Sequence, residues 1–354
     1  MSSGRKKSNP SEVSRAGAHG SVDLTKLLDI VASFSRQTIC VVGDFVLDEF
    51  VSSEISRVSR EAPVLILRHR RTEAYPGGAA NAVNNLVDLG ARALPVGVVG
   101  ADEGGRTLLE YFKRKRVDVS GIIRAKDWVT TTKTRYLAGW THTTEQQVLR
   151  VDREPSDLLS KRVETSIERK AQQFAKRAGA VLFSDYGLGA ATPALARKIR
   201  APHVMLDSRY RLLEYAGIRI TAATPNEPEL EAAYQMRIGT ETRKLEALGQ
   251  RALHDLKLEA LLVTRGKDGL TIFERNHSPQ HIPIFGSDTP VDVTGAGDTV
   301  IAVFTLAVTA GASFLEAAHL ANYAGGIVVM KRRTASLTRV ELETALRREA
   351  TAEV

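Results

Sequence analysis

Residues 292–299 read Asp292-Val293-Thr294-Gly295-Ala296-Gly297-Asp298-Thr299 and run straight into an apolar helical pattern, Ala296–Ala310. Two glycines and an alanine at a helix start leave the backbone open to close approach by an anion. The free N–H groups and the positive dipole end of the helix point at it. A carboxylate at the mouth of such a nest repels phosphate and is a poor ligand for it. It is well placed to take a proton from a hydroxyl that attacks the phosphate. Asp298 is therefore a candidate base, and Gly295, Ala296 and Gly297, with Thr294, a candidate anion hole. The same letters also suit a plain glycine-containing helix cap with an Asp in its first turn.

Working outward from this turn, apolar strand patterns alternate with helical ones. Strand candidates are Thr38–Val42, Ala93–Val99, Gly179–Phe183, His203–Leu206, Ile220–Ala223 and Ala260–Val263. Helical periodicity lies at Ala79–Leu89, Arg106–Lys115, Val163–Arg177 and Thr240–Leu256. Continuous apolar strands joined by helices predict an α/β fold, a mostly parallel sheet covered on both faces. Two stretches, about residues 45–72 and 130–153, alternate instead, as in Thr132-Lys133-Thr134-Arg135-Tyr136, and predict strands with no helix between them: a small β lid. Residues 1–20 lack periodicity and read as a disordered basic tail, leaving residues 21–354 as one domain.

Several polar groups fall just after strands, where ligands of parallel sheets bind. Gly43-Asp44, with Asp48, follows the first strand and offers carboxylates to sugar hydroxyls; a loop-capping Asp gives the same pattern. Pro76-Gly77-Gly78-Ala79-Ala80-Asn81 opens a helix with small residues against which a polyol could lie, Asn81 supplying donors and acceptors, or it is a tight turn. Asn226 and Glu229, three apart at a helix start, could hold water-ligated Mg²⁺ or form a capping arrangement. Thr264-Arg265-Gly266 follows another strand and lines either a nucleotide site or a hairpin turn.

The net charge of +8 is weighted toward the ends: residues 1–20 carry Arg5, Lys6, Lys7 and Arg15 against Glu12. The body is close to balanced and has no basic stripe with interleaved aromatics, so a small anionic ligand is expected rather than nucleic acid. The lone cysteine, Cys40, excludes an internal disulfide. The uncharged stretch Thr299–Leu315 is short for a membrane span, and no apolar leader is visible in residues 1–20, so a soluble cytoplasmic protein is expected. There is no G-x-x-x-x-G-K-[ST] loop and no G-x-G-x-x-G fingerprint.

Gly77–Asn81 and Asp292–Asp298, with Asn226 and Glu229 between them, together resemble the signatures of the ribokinase (PfkB-type) sugar-kinase family. The resemblance covers about residues 36–350. Val42–Asp48, Ile55–Pro63, Gln146–Asp152, Leu182–Gly187 and Leu261–Arg265 are similar to its bacterial D-glycero-β-D-manno-heptose-7-phosphate kinases. What this implies is a ribokinase-like fold with a lid that often clasps a second subunit, hence a homodimer. It also implies ATP with Mg²⁺, and phosphorylation of C1 of the heptose 7-phosphate to the 1,7-bisphosphate. Asp298 would be the base; Asp44, Gly77, Gly78, Asn81 and Asp185 would meet the sugar. Thr264, Gly266, Thr294, Gly297, Asn226 and Asn322 would meet the nucleotide, and Asp292 could serve a monovalent cation such as K⁺.

Three positions depart from the heptose-kinase pattern. Leu188 stands where a lysine is expected, Arg209 replaces the lysine of an Asp-Pro-Lys, and Arg333 replaces the glycine of a late Gly-Thr-Ser turn. The cations left for a sugar phosphate are Arg57, Arg60, Arg150 and Arg209. Another sugar kinase of the family, for a ketose or pentose, and a catalytically reduced sugar- or nucleotide-binding protein are the alternatives. The intact Asp298 turn favours a kinase.

Overall fold

The computed structural model describes residues 22–140 and 144–352; the expected tail, residues 1–20, lies outside them. The path opens with α1 (Leu24–Ala32), capped by Asp23, and lays down β1 (Thr38–Gly43). It leaves the main sheet for a hairpin, β2 (Phe45–Val58) and β3 (Leu65–Gly78), and returns through α2 (Ala79–Asp88) and β4 (Arg92–Gly100). α3 (Glu103–Arg114) leads to β5 (Ile122–Ala125), and a second hairpin follows, β6 (Thr131–Gly139) and β7 (Gln146–Arg153). Then come α4 (Lys161–Ala175), β8 (Ala180–Asp185), α5 (Pro193–Ala196), β9 (His203–Ser208) and β10 (Ala222–Ala223). α6 (Glu227–Tyr234), α7 (Thr242–Asp255), β11 (Ala260–Thr264), β12 (Leu270–Glu274) and β13 (Gln280–Ile282) complete the sheet. α8 (Ala296–Thr309), α9 (Phe314–Val328) and α10 (Arg339–Ala352) follow.

Among the described residues the main sheet has nine strands in the order β13-β12-β11-β10-β9-β8-β1-β4-β5. Pairing is parallel except at the β11–β12–β13 edge, which is antiparallel. Burial on both faces is visible within single strands. In β1, Ile39 and Val41 join the layer containing α1, α2, α3, α8, α9 and α10, while Cys40 and Val42 join the layer of α4, α5, α6 and α7. α8 is buried on all sides from Asp298 to Val308, which is why its sequence is apolar without amphipathic contrast. No helix among the described residues is long and apolar enough to cross a membrane.

The lid is a separate sheet in the order β3-β2-β6-β7, with β2 and β6 parallel and both hairpins antiparallel. Its inner end is packed through Phe45, Val46, Leu47 and Phe50, and its outer half is exposed. The structure extends the first lid segment past residue 72. Pro76-Gly77-Gly78 is the end of β3, and α2 begins at the next residue. Gly78 makes this abrupt change feasible: its φ of +56° suits glycine, and a Cβ would lie 3.0 Å from the Asp44 carbonyl.

Two expectations of element extent are corrected. The strand at Ile220–Ala223 shortens to Ala222–Ala223, and the helix at Arg106–Lys115 starts earlier, at Glu103, behind an Asp102 cap. β1 is flanked by β4 on one side and β8 on the other, so chain order reverses there. The crevice beyond the C-terminal ends of β1 and β8 is where such sheets bind ligands.

Candidate active site

The N-terminus of α8 faces that crevice. Gly295 caps the helix with φ +80°, and a Cβ there would lie 2.5 Å from Asn81 Nδ2, so the turn and Asn81 are in close contact. Asp298, in the first turn, is buried. Tyr186 donates its hydroxyl to Asp298 Oδ1 at 2.7 Å, and Asn81 donates Nδ2 to Oδ2 at 3.1 Å and to the Gly295 carbonyl at 3.1 Å. Asn81 is itself held by Asn85, which donates to its Oδ1 and its carbonyl. Burial raises the Asp298 carboxyl to about 7; the Tyr186 and Asn81 hydrogen bonds and Arg209 act downward, and Asp48 upward. A carboxyl group that titrates near neutrality at a helix N-terminus suits general-base work.

Two cavities meet at this turn, and a third adjoins one of them through Tyr186 and Arg209. One of about 400 Å³ holds Asp298, Gly295, Gly297, Tyr186, Asp207, Arg209, Asn226 and Glu229. Burial and like charge push Asp207 well above the usual carboxylate range, and burial raises Glu229. A second cavity, about 310 Å³, shares Thr264 and Gly297 and is walled by Gly266, Ala296, Val300, Ala321, Asn322 and Val329, a largely apolar slot. The third, about 230 Å³, lies between the lid base and the loop after β8, lined by Val46, Lys133, Glu154, Gly187, Leu188 and Tyr210. Tyr186 and Arg209 border both the first and the third.

The model of the pfkB family of carbohydrate kinases matches residues 36–340. This chain belongs to that family. The kinase is 40% identical over 309 residues to the bifunctional protein HldE of Geobacter metallireducens, covering 85% of this chain and 61% of that protein. The HldE of Geobacter sulfurreducens is 38% identical over 313 residues, covering 86% and 62%. The chain thus spans about three fifths of the length of these relatives. Among solved structures, Arabidopsis thaliana ribokinase complexed with ribose and ATP superposes with a TM-score of 0.68 at 20% identity, covering 88% of this chain and 98% of that one. Escherichia coli phosphofructokinase-2 in complex with potassium gives 0.73 at 17%, covering 89% and 99%. The fold is ribokinase-like, as the sequence implies.

The kinase gathers many of the residues singled out in the sequence and gives others different work. Asn226 and Glu229 form a capping box, each side chain accepting the other's backbone N–H, while both also line the Asp298 cavity. Thr264, Gly266 and Asn322 line the apolar slot, Asn322 donating to the Pro283 carbonyl at 2.8 Å. Asp44 accepts the backbone N–H groups of Tyr186, Leu188 and Ala190, so it anchors a loop, and burial raises it to about 6. Asp185 accepts from Arg211, Tyr215, Ser208 and the Gly187 N–H. Neither carboxylate lines any of the three cavities. Gly77 and Gly78 close the inner end of the lid strand β3, Gly77 against the Asp48 carboxylate.

Of the expected phosphate-binding cations, Arg209 alone borders these cavities. Arg57 and Arg60 are exposed toward the outer end of the lid, and Arg150 pairs with Asp152 on β7. Lys133, not among the candidates, faces the lid-side cavity, its Nζ 3.6 Å from both Asp152 and Glu154. Asp292 braces the turn, accepting the N–H of Thr294 on Oδ1 and of Arg333 on Oδ2. Arg333 then reaches into the lid, pairing with Glu73 at 2.8 Å, donating to Ser52 and lying over Phe50, whose ring Arg135 also contacts. Arg135 and Thr334 both donate to Asp48. Arg333, the departure from the late Gly-Thr-Ser turn, thus ties the turn to the lid.

Proposed function

We propose that this kinase transfers the γ-phosphate of ATP to the C1 hydroxyl of D-glycero-β-D-manno-heptose 7-phosphate, giving the 1,7-bisphosphate. The observation that carries the reading is the buried Asp298 carboxyl, held by Tyr186 and Asn81 at the start of α8 and raised to about 7. Asp298 takes the proton of the attacking hydroxyl, and the N–H groups of Gly295–Gly297 hold the transferred phosphate. The apolar slot beside Asn322 and Thr264 suits a flat purine. Asp207, Glu229 and Asn226 crowd acidic and amide oxygens around the same cavity, an arrangement a hydrated divalent cation relieves. Bound Mg²⁺ would neutralise phosphate charge at that site. Both Asp292 oxygens already accept N–H groups, from Thr294 and Arg333.

The sugar's distal phosphate fits the lid-side cavity, where Lys133 and Arg209 stand and Leu188 has no charge. Charge-assisted contacts are worth about 1.5–3 kcal/mol each, so two of them support a preference above an order of magnitude. The expected result is a kcat/KM for heptose 7-phosphate more than tenfold that for the unphosphorylated heptose. Equal turnover of free sugars would replace this substrate with a ketose or pentose. ATP binding with no sugar turned over would leave a binding protein.

The same reading includes a homodimer through the lids. Every residue of β7 is exposed, with Val148, Leu149 and Val151 among them, and an edge strand left bare invites pairing. Light scattering should give a dimer mass at micromolar concentration; a monomer mass at high concentration counts against it.

A further inference from the structure

We propose that Tyr186 is a positioning residue for the transfer, its hydroxyl locking the Asp298 carboxylate in the plane from which it meets the sugar hydroxyl. This rests on the kinase reading above and goes beyond it. Tyr186 is held at both ends: its backbone N–H by Asp44 at 2.9 Å, and its hydroxyl by Asp298 Oδ1 at 2.7 Å. Leu188 and Ala190 bind the same Asp44 carboxylate, so the whole loop is pinned to the end of β1. Its ring packs near Gly78, where a Cβ would lie 3.3 Å from Tyr186 Cε2. It borders the Asp298 cavity and the lid-side cavity, and so stands between the base and the proposed sugar side. Asn81 holds the other carboxylate oxygen, and two hydrogen bonds from opposite sides stop the group from rotating.

In the transfer, the sugar O–H proton passes to Asp298, the oxygen forms its bond to phosphorus, and the bridging oxygen leaves with the electron pair on the nucleoside diphosphate. Tyr186 keeps its proton throughout. Burial and the charges of Asp298 and Asp207 push its phenol well above the usual range. The groups facing Asp298 are Tyr186 from the loop after β8, Asn81 from α2, Asp48 from β2, and Asp207 and Arg209 at the end of β9. Tyr186, Asn81 and Arg209 favour the ionised carboxylate, whereas burial and Asp48 oppose it. Deleting the Tyr186 hydroxyl therefore raises the pH at which Asp298 ionises.

The test is Tyr186→Phe, read two ways. Carboxyl ¹³C NMR on the free protein follows the Asp298 titration without any sugar and should move upward by about half a unit or more. Kinetically, kcat at pH 7 should fall roughly tenfold, recover in part above pH 8, and leave the KM for ATP unchanged. Incorporating 3-fluorotyrosine at position 186, a stronger donor of the same shape, should move the titration the other way. An unmoved titration in both variants overturns the inference whatever the sugar, as does a kcat loss with no change in pH profile. A moved titration in a protein that phosphorylates no sugar would uphold the Tyr186–Asp298 coupling and overturn the transfer reading beneath it.

Discussion

Asp298→Asn is expected to lower turnover by roughly 10²–10⁴-fold while changing ATP affinity little. Asparagine keeps the size and most of the hydrogen bonding of the carboxylate but cannot take a proton. Phosphoryl transfer depends mainly on positioning and electrostatics, so the donor phosphates should bind as before. The wild type should gain activity as pH rises through about 7, where the carboxyl ionises, and the variant should lack that rise. Stability offers a second readout. The folded state keeps this proton up to about 7, whereas an unfolded Asp releases it near ~3.9. The stabilising contribution of the protonated group is thus complete below about 4 and lost as pH rises through 7. The variant has no such loss, so it should melt no lower than the wild type at pH 8. Turnover within a few-fold of wild type would remove Asp298 from the role of base.

What was legible in the sequence follows from which forces are local. β1, β4, β8, β9 and β11 are buried on both faces, and continuous apolar runs mark such strands without help from any partner. The lid was legible because its two stretches are rich in strand-forming residues with no helical pattern between them, although burial at its base is continuous from Phe45 to Asp48 rather than alternating. β12 and β13 were not, since both are short strands whose identity comes from antiparallel pairing at the sheet edge, β12 to β11 and β13 to β12. The glycine turn at the start of α8 could be read because its requirements lie within eight residues. Asp44 and Tyr186 could not, because the contacts that define them join residues more than a hundred apart. The available signal was the polar Asp185-Tyr186-Gly187 at the end of a strand, yet nothing in it says whether Asp185 or Tyr186 faces Asp298. Asp185 turns inward to Arg211 and Tyr215, and Tyr186 turns to Asp298. Lys133 shares this obscurity, since strand alternation puts it on the same face as Arg135 but cannot say what that face covers.

The two glycines of the turn should fail in different ways. The sequence groups Gly295 and Gly297 in one candidate anion hole; the structure puts the left-handed backbone at Gly295 alone of the two. Gly295 has φ +80°, and its Cβ would lie 2.5 Å from Asn81 Nδ2 and 3.0 Å from Thr334 Cγ2. Gly295→Ala therefore pairs a left-handed residue, costing on the order of 1–2 kcal/mol, with displacement of the amide that holds Asp298. It should lower both the melting temperature and kcat. Gly297 has no such constraint: nothing lies within 4 Å of a Cβ built there, and it borders both the Asp298 cavity and the apolar slot. Gly297→Val should fold with a melting temperature close to that of the wild type, because the side chain meets only open space in the unliganded protein. Its methyl groups then stand at the N–H groups proposed to hold the phosphate, and a misplacement of about an ångström at a reacting group can cost 10²-fold, so turnover should fall by roughly that factor or more. Calorimetry and steady-state kinetics on the two variants separate these outcomes. Normal kinetics in Gly297→Val would mean that the phosphate is held elsewhere than at the start of α8. A large loss of stability in that variant would mean that the space beside Gly297 is occupied in the folded protein even without substrate.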